Sequence, residues 1–436
     1  MLPGTLMMGA KDRLLPPSVP YRFFASAVVL HVAGWAALLV GADIAPGFMG
    51  GLGPGLAGLH LITLGVLAMT AIGAAFQLLP VATRRQIGPV WACRLTWWLY
   101  APGVVVLCLG MGLQAPWLMH AGGGLVVAGL ALFGILVGRN LHSVSDLPAV
   151  TGHAWTALAA LAGLAVLGIV LVVDTGAGFL ARRGAIAAAH AVLAGYGFMG
   201  SLALGFSYVL VPMFALTQGV PDAKGKRTAR LAAAALAIGA GGAAMGQGLV
   251  AAAGGVLGLV AAGLHLRALL DVLETRMRKR LEPFFRLVRL AWVMLPASVV
   301  MGLVLALGEV PQVAAPLWGW LLVFGWLLTF VTGILQRIMP FLASMHSGSR
   351  GGKPVLMSKL VADKPLAIHA GLHALALALG AAGLLAQFAP LVQAAALAGL
   401  AGAVSFAVFA FLVLARWRAH ESVSQSAPSS PVLRTP

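Results

Sequence analysis

Apolar runs long enough to cross a bilayer recur from one end of this chain to the other. A run of about 20 apolar residues spans the hydrocarbon as a helix, because only a helix bonds every backbone N–H and C=O within its own segment. Twelve such spans are predicted, over 22–43, 58–83, 92–114, 117–140, 151–175, 184–215, 228–247, 248–272, 285–308, 314–342, 366–387 and 391–416. The seventh and eighth divide near Gly246, where two helices rich in alanine and glycine join with little warning. Charged residues make up 9% of the chain and the mean hydropathy is +0.98. A soluble domain carries roughly 25% charged residues, so the fold class is an all-α polytopic membrane protein.

Charge sets the expected topology. With the N-terminus inside, all of the 28 Lys and Arg except Arg182 and Arg183 fall in cytoplasmic segments or at cytoplasmic helix ends. The main groups are Arg84–Arg85, Lys224–Arg230, Arg276–Arg289, Arg350–Lys364 and Arg416–Arg418. This is the positive-inside pattern. It accounts for the net charge of +17 by basic loops facing an anionic leaflet, and removes nucleic acid as an expected partner. The lipid bilayer is the expected one, in a bacterial-type inner membrane with both termini cytoplasmic. Residues 1–21 are expected to form a short cytoplasmic tail with no cleavable signal, 22–416 the membrane domain, and 417–436 a disordered tail rich in Ser and Pro. Cys93 and Cys108 share one predicted helix, as packing residues outside any disulfide framework.

Within the apolar runs one template occurs three times: a glycine, seven residues, a glycine, six residues, a proline. The copies are Gly65, Gly73 and Pro80; Gly197, Gly205 and Pro212; Gly325, Gly333 and Pro340. The register repeats after 132 and then 128 residues, too long for a solenoid unit. It fits a unit of four membrane helices used three times, over about 22–142, 151–275 and 284–416. In each unit the first helix ends in an acid (Asp43, Asp174, Glu309) and the fourth ends near a basic residue (Arg139, Arg276, Arg416). Glycine at these positions allows close helix approach, and proline bends or stops a helix.

The template segments read GLHLITLGVLAMTAIGAAFQLLPVATRR, AAHAVLAGYGFMGSLALGFSYVLVPMF and WGWLLVFGWLLTFVTGILQRIMPF. On these segments and the threefold plan, the chain resembles subunit I of the haem–copper oxidases over most of its length. It is most similar to the short, stand-alone haem- and copper-containing membrane proteins of nitric oxide response. The resemblance implies twelve helices with pseudo-threefold symmetry and metal ligands on the second helix of each arc. His60 then matches the histidine that holds the low-spin haem. His190 lies on the helix that carries a copper ligand in that family, but nearer the outer end. The template places these two histidines at similar depth, where two imidazoles could hold one haem between them. The alternative for each is a polar residue at the water interface. Arg182 and Arg183 would hold haem propionates, or else balance Asp174.

Several departures argue against oxidase chemistry. The tenth helix has Trp318, Trp320 and Trp326 in place of two histidines. The seventh lacks a histidine pair, and Tyr196 and Tyr208 are no secure counterparts of the copper-linked tyrosine. No membrane-centre Glu or Lys marks a proton path.

A second histidine group lies toward the predicted cytoplasmic side. His369 and His373, four apart, share a helix face, and His346 lies in the preceding basic loop. Three imidazoles suit copper, zinc or iron; the alternative is a packed pair bonded to carbonyls. A metal there would lie across the membrane from His60. His31, near mid-membrane, is a functional candidate or a neutral ring on a carbonyl. His265 is expected to bond locally near Asp271, and His120, His142, His153 and His420 to be solvated at helix ends. Gln77 and Gln336 are expected to bridge helices.

Two classes of function follow. The first is a haem-binding protein of oxidase-subunit-I type, handling electrons, oxygen or nitric oxide, with a cytochrome or quinol as electron donor. If it is an enzyme, it is an oxidoreductase. The second is a transporter of metal or small molecules, with His346, His369 and His373 as an inner station. A third reading is a partner subunit that keeps the fold without the cofactor.

Overall fold

A computed structural model describes residues 14–426 except 143, 145, 309, 310, 312 and 348–353, with side chains through Glu421 and Ser422. The described residues form twelve long helices: α1 Ser18–Val40, α2 Pro54–Thr83, α3 Val90–Gly112, α4 Pro116–Leu141, α5 Pro148–Ala177, α6 Arg183–Ala215, α7 Asp222–Ala244, α8 Gly248–Glu274, α9 Phe285–Leu307, α10 Ala314–Ser347, α11 Asp363–Leu385 and α12 Ala389–Ser426. Eleven are long and apolar enough to cross a membrane, and the protein is a multi-pass helical membrane protein. The exception is α7, which starts DAKGKRTAR and continues almost wholly in alanine and glycine. Glu309, one of the three acids singled out in sequence, lies outside the described residues, as does part of the Arg350–Lys364 group.

The template helices are the inner ones. In α2, α6 and α10, 72%, 78% and 78% of the most apolar window is buried, against 22–50% elsewhere. All three are widened into π-helix around the first template glycine, at Leu61–Ala68, Leu193–Gly200 and Trp320–Leu328. Extended π segments are rare, and single π turns often mark functional sites. Each template glycine seats a side chain of the preceding first helix. Gly65 and Gly73 meet Leu30 and Phe23 of α1; Gly197 and Gly205 meet Ala160 and His153 of α5; Gly325 and Gly333 meet Met294 and Leu287 of α9. A Cβ on any of these glycines would come within 2.6–3.3 Å of that neighbour.

The helix pairs α3–α4, α7–α8 and α11–α12 turn through one device. Gln114, Gly246 and Gln387 adopt positive φ (55°, 66° and 50°). The next amide bonds back five residues, Ala115 to Gly110, Gln247 to Gly242 and Phe388 to Gly383, each at 2.8 Å. These are Schellman motifs. The division expected near Gly246 therefore falls on the turn itself. The left-handed conformation costs a non-glycine residue roughly 1–2 kcal/mol. Gln387→Gly is accordingly expected to raise the thermal unfolding midpoint in detergent, by about 1 kcal/mol of stability; an unchanged or lower midpoint would refute this.

Across the chain, α4 packs on α5, α8 on α9 and α12 back on α1, so the helices close a ring. Inside it the π segments of α2 and α6 both touch that of α10. The tail expected to be disordered from 417 is helical through Ser426. Trp417 is buried beside Tyr21 (ring centroids 5.2 Å) and Arg416 donates to the Val361 carbonyl (2.7 Å), so tertiary contacts hold residues whose composition alone suggests disorder.

Candidate functional site

His60 closes the first turns of α2 immediately before its π segment, and His190 precedes the π segment of α6 by three residues. Both are half-buried and within electrostatic reach of each other. His60 Nδ1 donates to the Leu56 carbonyl at 3.0 Å, which fixes the ring and leaves Nε2 with the lone pair. His190 Nδ1 is buried and falls short of a hydrogen bond, although it faces the Leu164 carbonyl. Room for the His190 ring comes from Gly168, where a Cβ would lie 3.2 Å from His190 Cε1. Two neutral imidazoles with a nitrogen to spare fit axial haem ligation.

The two arginines are not equivalent. Arg183 pairs with Asp174, whose side chain is 4% exposed and also accepts from the Leu180 amide at 2.7 Å. Arg183 further donates to Thr175 Oγ1 (3.1 Å) and is committed to the α5–α6 connection. Arg182 uses one nitrogen, Nη1, on the Met245 carbonyl (3.1 Å) and leaves most of its fork free.

His346 is not among the rings that meet His369 and His373. His346 packs on Trp417 (6.3 Å). Among the described residues no three His, Cys, Asp or Glu side chains converge as a metal-holding group. The third histidine brought to His369 and His373 is His31, midway along α1: the His31 and His369 rings are 6.1 Å apart, and those of His369 and His373 5.7 Å. The cluster is buried inside the bundle, not at its surface, and three of its six ring nitrogens have named hydrogen-bond partners. Trp35 Nε1 donates to His31 Nε2 (3.1 Å), and His369 Nδ1 donates to the Gly402 carbonyl (3.1 Å). Thr329 Oγ1 donates to the Phe324 carbonyl (2.8 Å) and so accepts from His373 Nε2 (2.7 Å). Only His369 Nε2 is buried with no partner in this group. Three imidazoles held this way are a hydrogen-bonded core.

Thr329 links that core to the π segment of α10. Thr329→Val leaves the His373 N–H unpaired in a dry interior, a loss of about 1–3 kcal/mol. The expected result is a lower unfolding midpoint, largely restored in Thr329→Val/His373→Leu, where both polar partners are gone. Equal destabilisation by the single and double variants would sink this account.

Two histidines placed by sequence at helix ends or in local bonds lie elsewhere. His153 and His265 are each 1% exposed and flank Tyr208 of α6. Ring centroids are 5.7 Å for His153–Tyr208 and 5.0 Å for Tyr208–His265. His153 is buried because α5 starts at Pro148 and Gly205 makes room for the ring. The signal for this trio was in the template: Tyr208 stands three residues after Gly205, as Phe76 stands three after Gly73.

Near the first-helix end of the bundle, a small apolar cavity of about 40 Å³ opens between the inner ends of α2, α6 and α10. Gln77, Val150, Met213 and Met345 are among its walls. No model of a known protein family matches the chain. No curated protein sequence matches it either.

Proposed function

We propose that this is a membrane haem protein built on the plan of oxidase subunit I, with three four-helix units about a pseudo-threefold axis and the N-terminus in the cytoplasm. The observation that carries it is the pair His60 and His190: half-buried imidazoles on two inner helices, each just ahead of a π segment, and one with an unpartnered ring nitrogen. The threefold plan is supported by the π segments and the glycine seats, which recur in one register, and by a Schellman turn between the third and fourth helices of each unit. His60 and His190 would be the axial ligands, and Arg182 the propionate partner; Arg183 is spent on Asp174. Bound haem supplies one-electron redox chemistry. The chain's own part is to hold two neutral imidazoles in fixed orientation, His60 by its bond to Leu56 and His190 by its fit over Gly168. Copper at His369 and His373 does not fit the hydrogen bonds they make, and the reading does not include it. An electron-donating cytochrome or quinol would be the partner.

The test is the absorption spectrum of detergent-purified protein expressed with haem supplied, oxidised and dithionite-reduced, with a pyridine haemochrome assay. A Soret band with sharp reduced α and β bands is expected. Absence of haem would overturn the proposal.

A further inference from the structure

His153, Tyr208 and His265 come from three helices, α5, α6 and α8, and meet in the interior at 1%, 6% and 1% exposure. Each brings a buried polar atom with no hydrogen-bond partner: His153 Nε2, Tyr208 Oη and His265 Nδ1. Buried polar atoms are almost always paired, so three orphans in one trio point to a ligand. His153 Nδ1 donates to the Ala149 carbonyl at 3.0 Å, so its buried, unpartnered Nε2 carries the lone pair. Tyr208 Oη lies near Thr228 without reaching a hydrogen bond; the Thr228 hydroxyl donates to the Lys224 carbonyl (3.0 Å) and could only accept from the phenol.

The chain contains its own control. At the matching places of the first unit stand Phe23, Phe76 and Phe133. Phe23 seats Gly73 as His153 seats Gly205, and Phe76 and Tyr208 each follow that glycine by three residues. Phe133 and His265 lie equally far into α4 and α8. Ring spacings agree too: 5.8 Å for Phe23–Phe76 and 5.5 Å for Phe76–Phe133. Packing at this place is thus met by three phenylalanines. Two imidazoles and a phenol in their stead cost desolvation and return nothing to packing.

We propose that His153, Tyr208 and His265 form a binding site for one late first-row transition-metal cation, copper or zinc. The shared chemistry is neutral imidazole nitrogen with a phenol oxygen, a donor set that suits both ions. Two small cavities lie beside the site, and none of the three side chains lines either. The cavity walled by Met213, Met345 and Gln77 reaches Val150, one turn from His153, and a second small cavity continues past Val150, Ala154 and Gly205. This site is separate from His60 and His190 and does not depend on haem.

The experiment uses the full chain in detergent, equilibrated in parallel arms with Cu(I) under reductant and with Zn(II), freed of excess metal, and assayed for metal per chain by mass spectrometry. The comparison variant is His153→Phe/Tyr208→Phe/His265→Phe, which copies the first unit. The wild type should retain one more ion per chain than this variant in at least one arm, and that arm identifies the metal. The haem bands of the variant should be unchanged. Equal metal content in both arms would overturn the proposal and leave the trio to water. Should the triple variant not fold, His153→Gln and His265→Gln are each expected to weaken metal affinity at least about tenfold; unchanged affinity in both would overturn it equally.

Discussion

His60→Ala and His190→Ala are each expected to convert a six-coordinate low-spin haem spectrum to a five-coordinate high-spin one, with the Soret band shifted and the sharp reduced α band lost. The two rings stand on different helices, so removing one leaves the other ligand in place, and haem content should fall less than the low-spin signal does. The double variant should retain no haem. A graded change should come from Gly168→Val. Its Cβ would sit 3.2 Å from His190 Cε1, and the added methyls would push the ring off its present position without removing it. His60, held to Leu56 on its own helix, should be indifferent to that change. Unaltered spectra in both alanine variants would remove this histidine pair from the haem site.

Gly254→Leu is expected to abolish most of the folded yield. A Cβ at Gly254 would lie 2.3 Å from Gly239 N, 2.5 Å from Gly239 Cα and 2.8 Å from the Ala235 carbonyl. All three are backbone atoms of α7, which cannot step aside as a side chain end can. Overpacking a core costs about 1–3 kcal/mol even where side chains can adjust. The contact also matters because α7 is the one long helix among the described residues not apolar enough to count as a membrane span, so it relies on its neighbours α5, α6 and α8. Gly263→Leu, on the same helix with nothing within 4 Å of its added Cβ, is the control and should express as the wild type does. Monodisperse elution of Gly254→Leu at wild-type yield would show that the α7–α8 contact is not limiting.

The spans and the template were legible because hydropathy and spacing are local. The boundary at Gly246 could be placed because glycine there takes the left-handed turn. The matching helix ends at Gln114 and Gln387 are placed by the span limits 92–114 and 366–387, but the left-handed turn on each is hidden, since glutamine gives no such signal. The π segments left no trace in sequence because widening a helix shifts its apolar face too little to break a run that is apolar all round. Of the histidines expected to be solvated at helix ends, His120 and His142 are exposed but His153 is buried, because depth along a helix does not fix exposure. His153 stands near the start of α5 yet is covered by α6, and His346 is near His369 in sequence but packs on Trp417 of α12. Pairings of this kind depend on which helices meet, which spacing along one helix cannot tell.

Closure of the ring also fixes an order of events during synthesis. The seam between α12 and α1 joins the last helix made to the first, and Tyr21 Oη on α1 donates to the Met339 carbonyl of α10, 318 residues away. Contacts that distant in sequence form late. Until α12 leaves the ribosome, α1 has one flank without its helix neighbour. A chain stopped before Ala389 would carry eleven finished helices and an open seam, with Trp35 keeping Trp320 and Phe324 but lacking Gly399 on its other side. Closure of the ring therefore waits for the final helix.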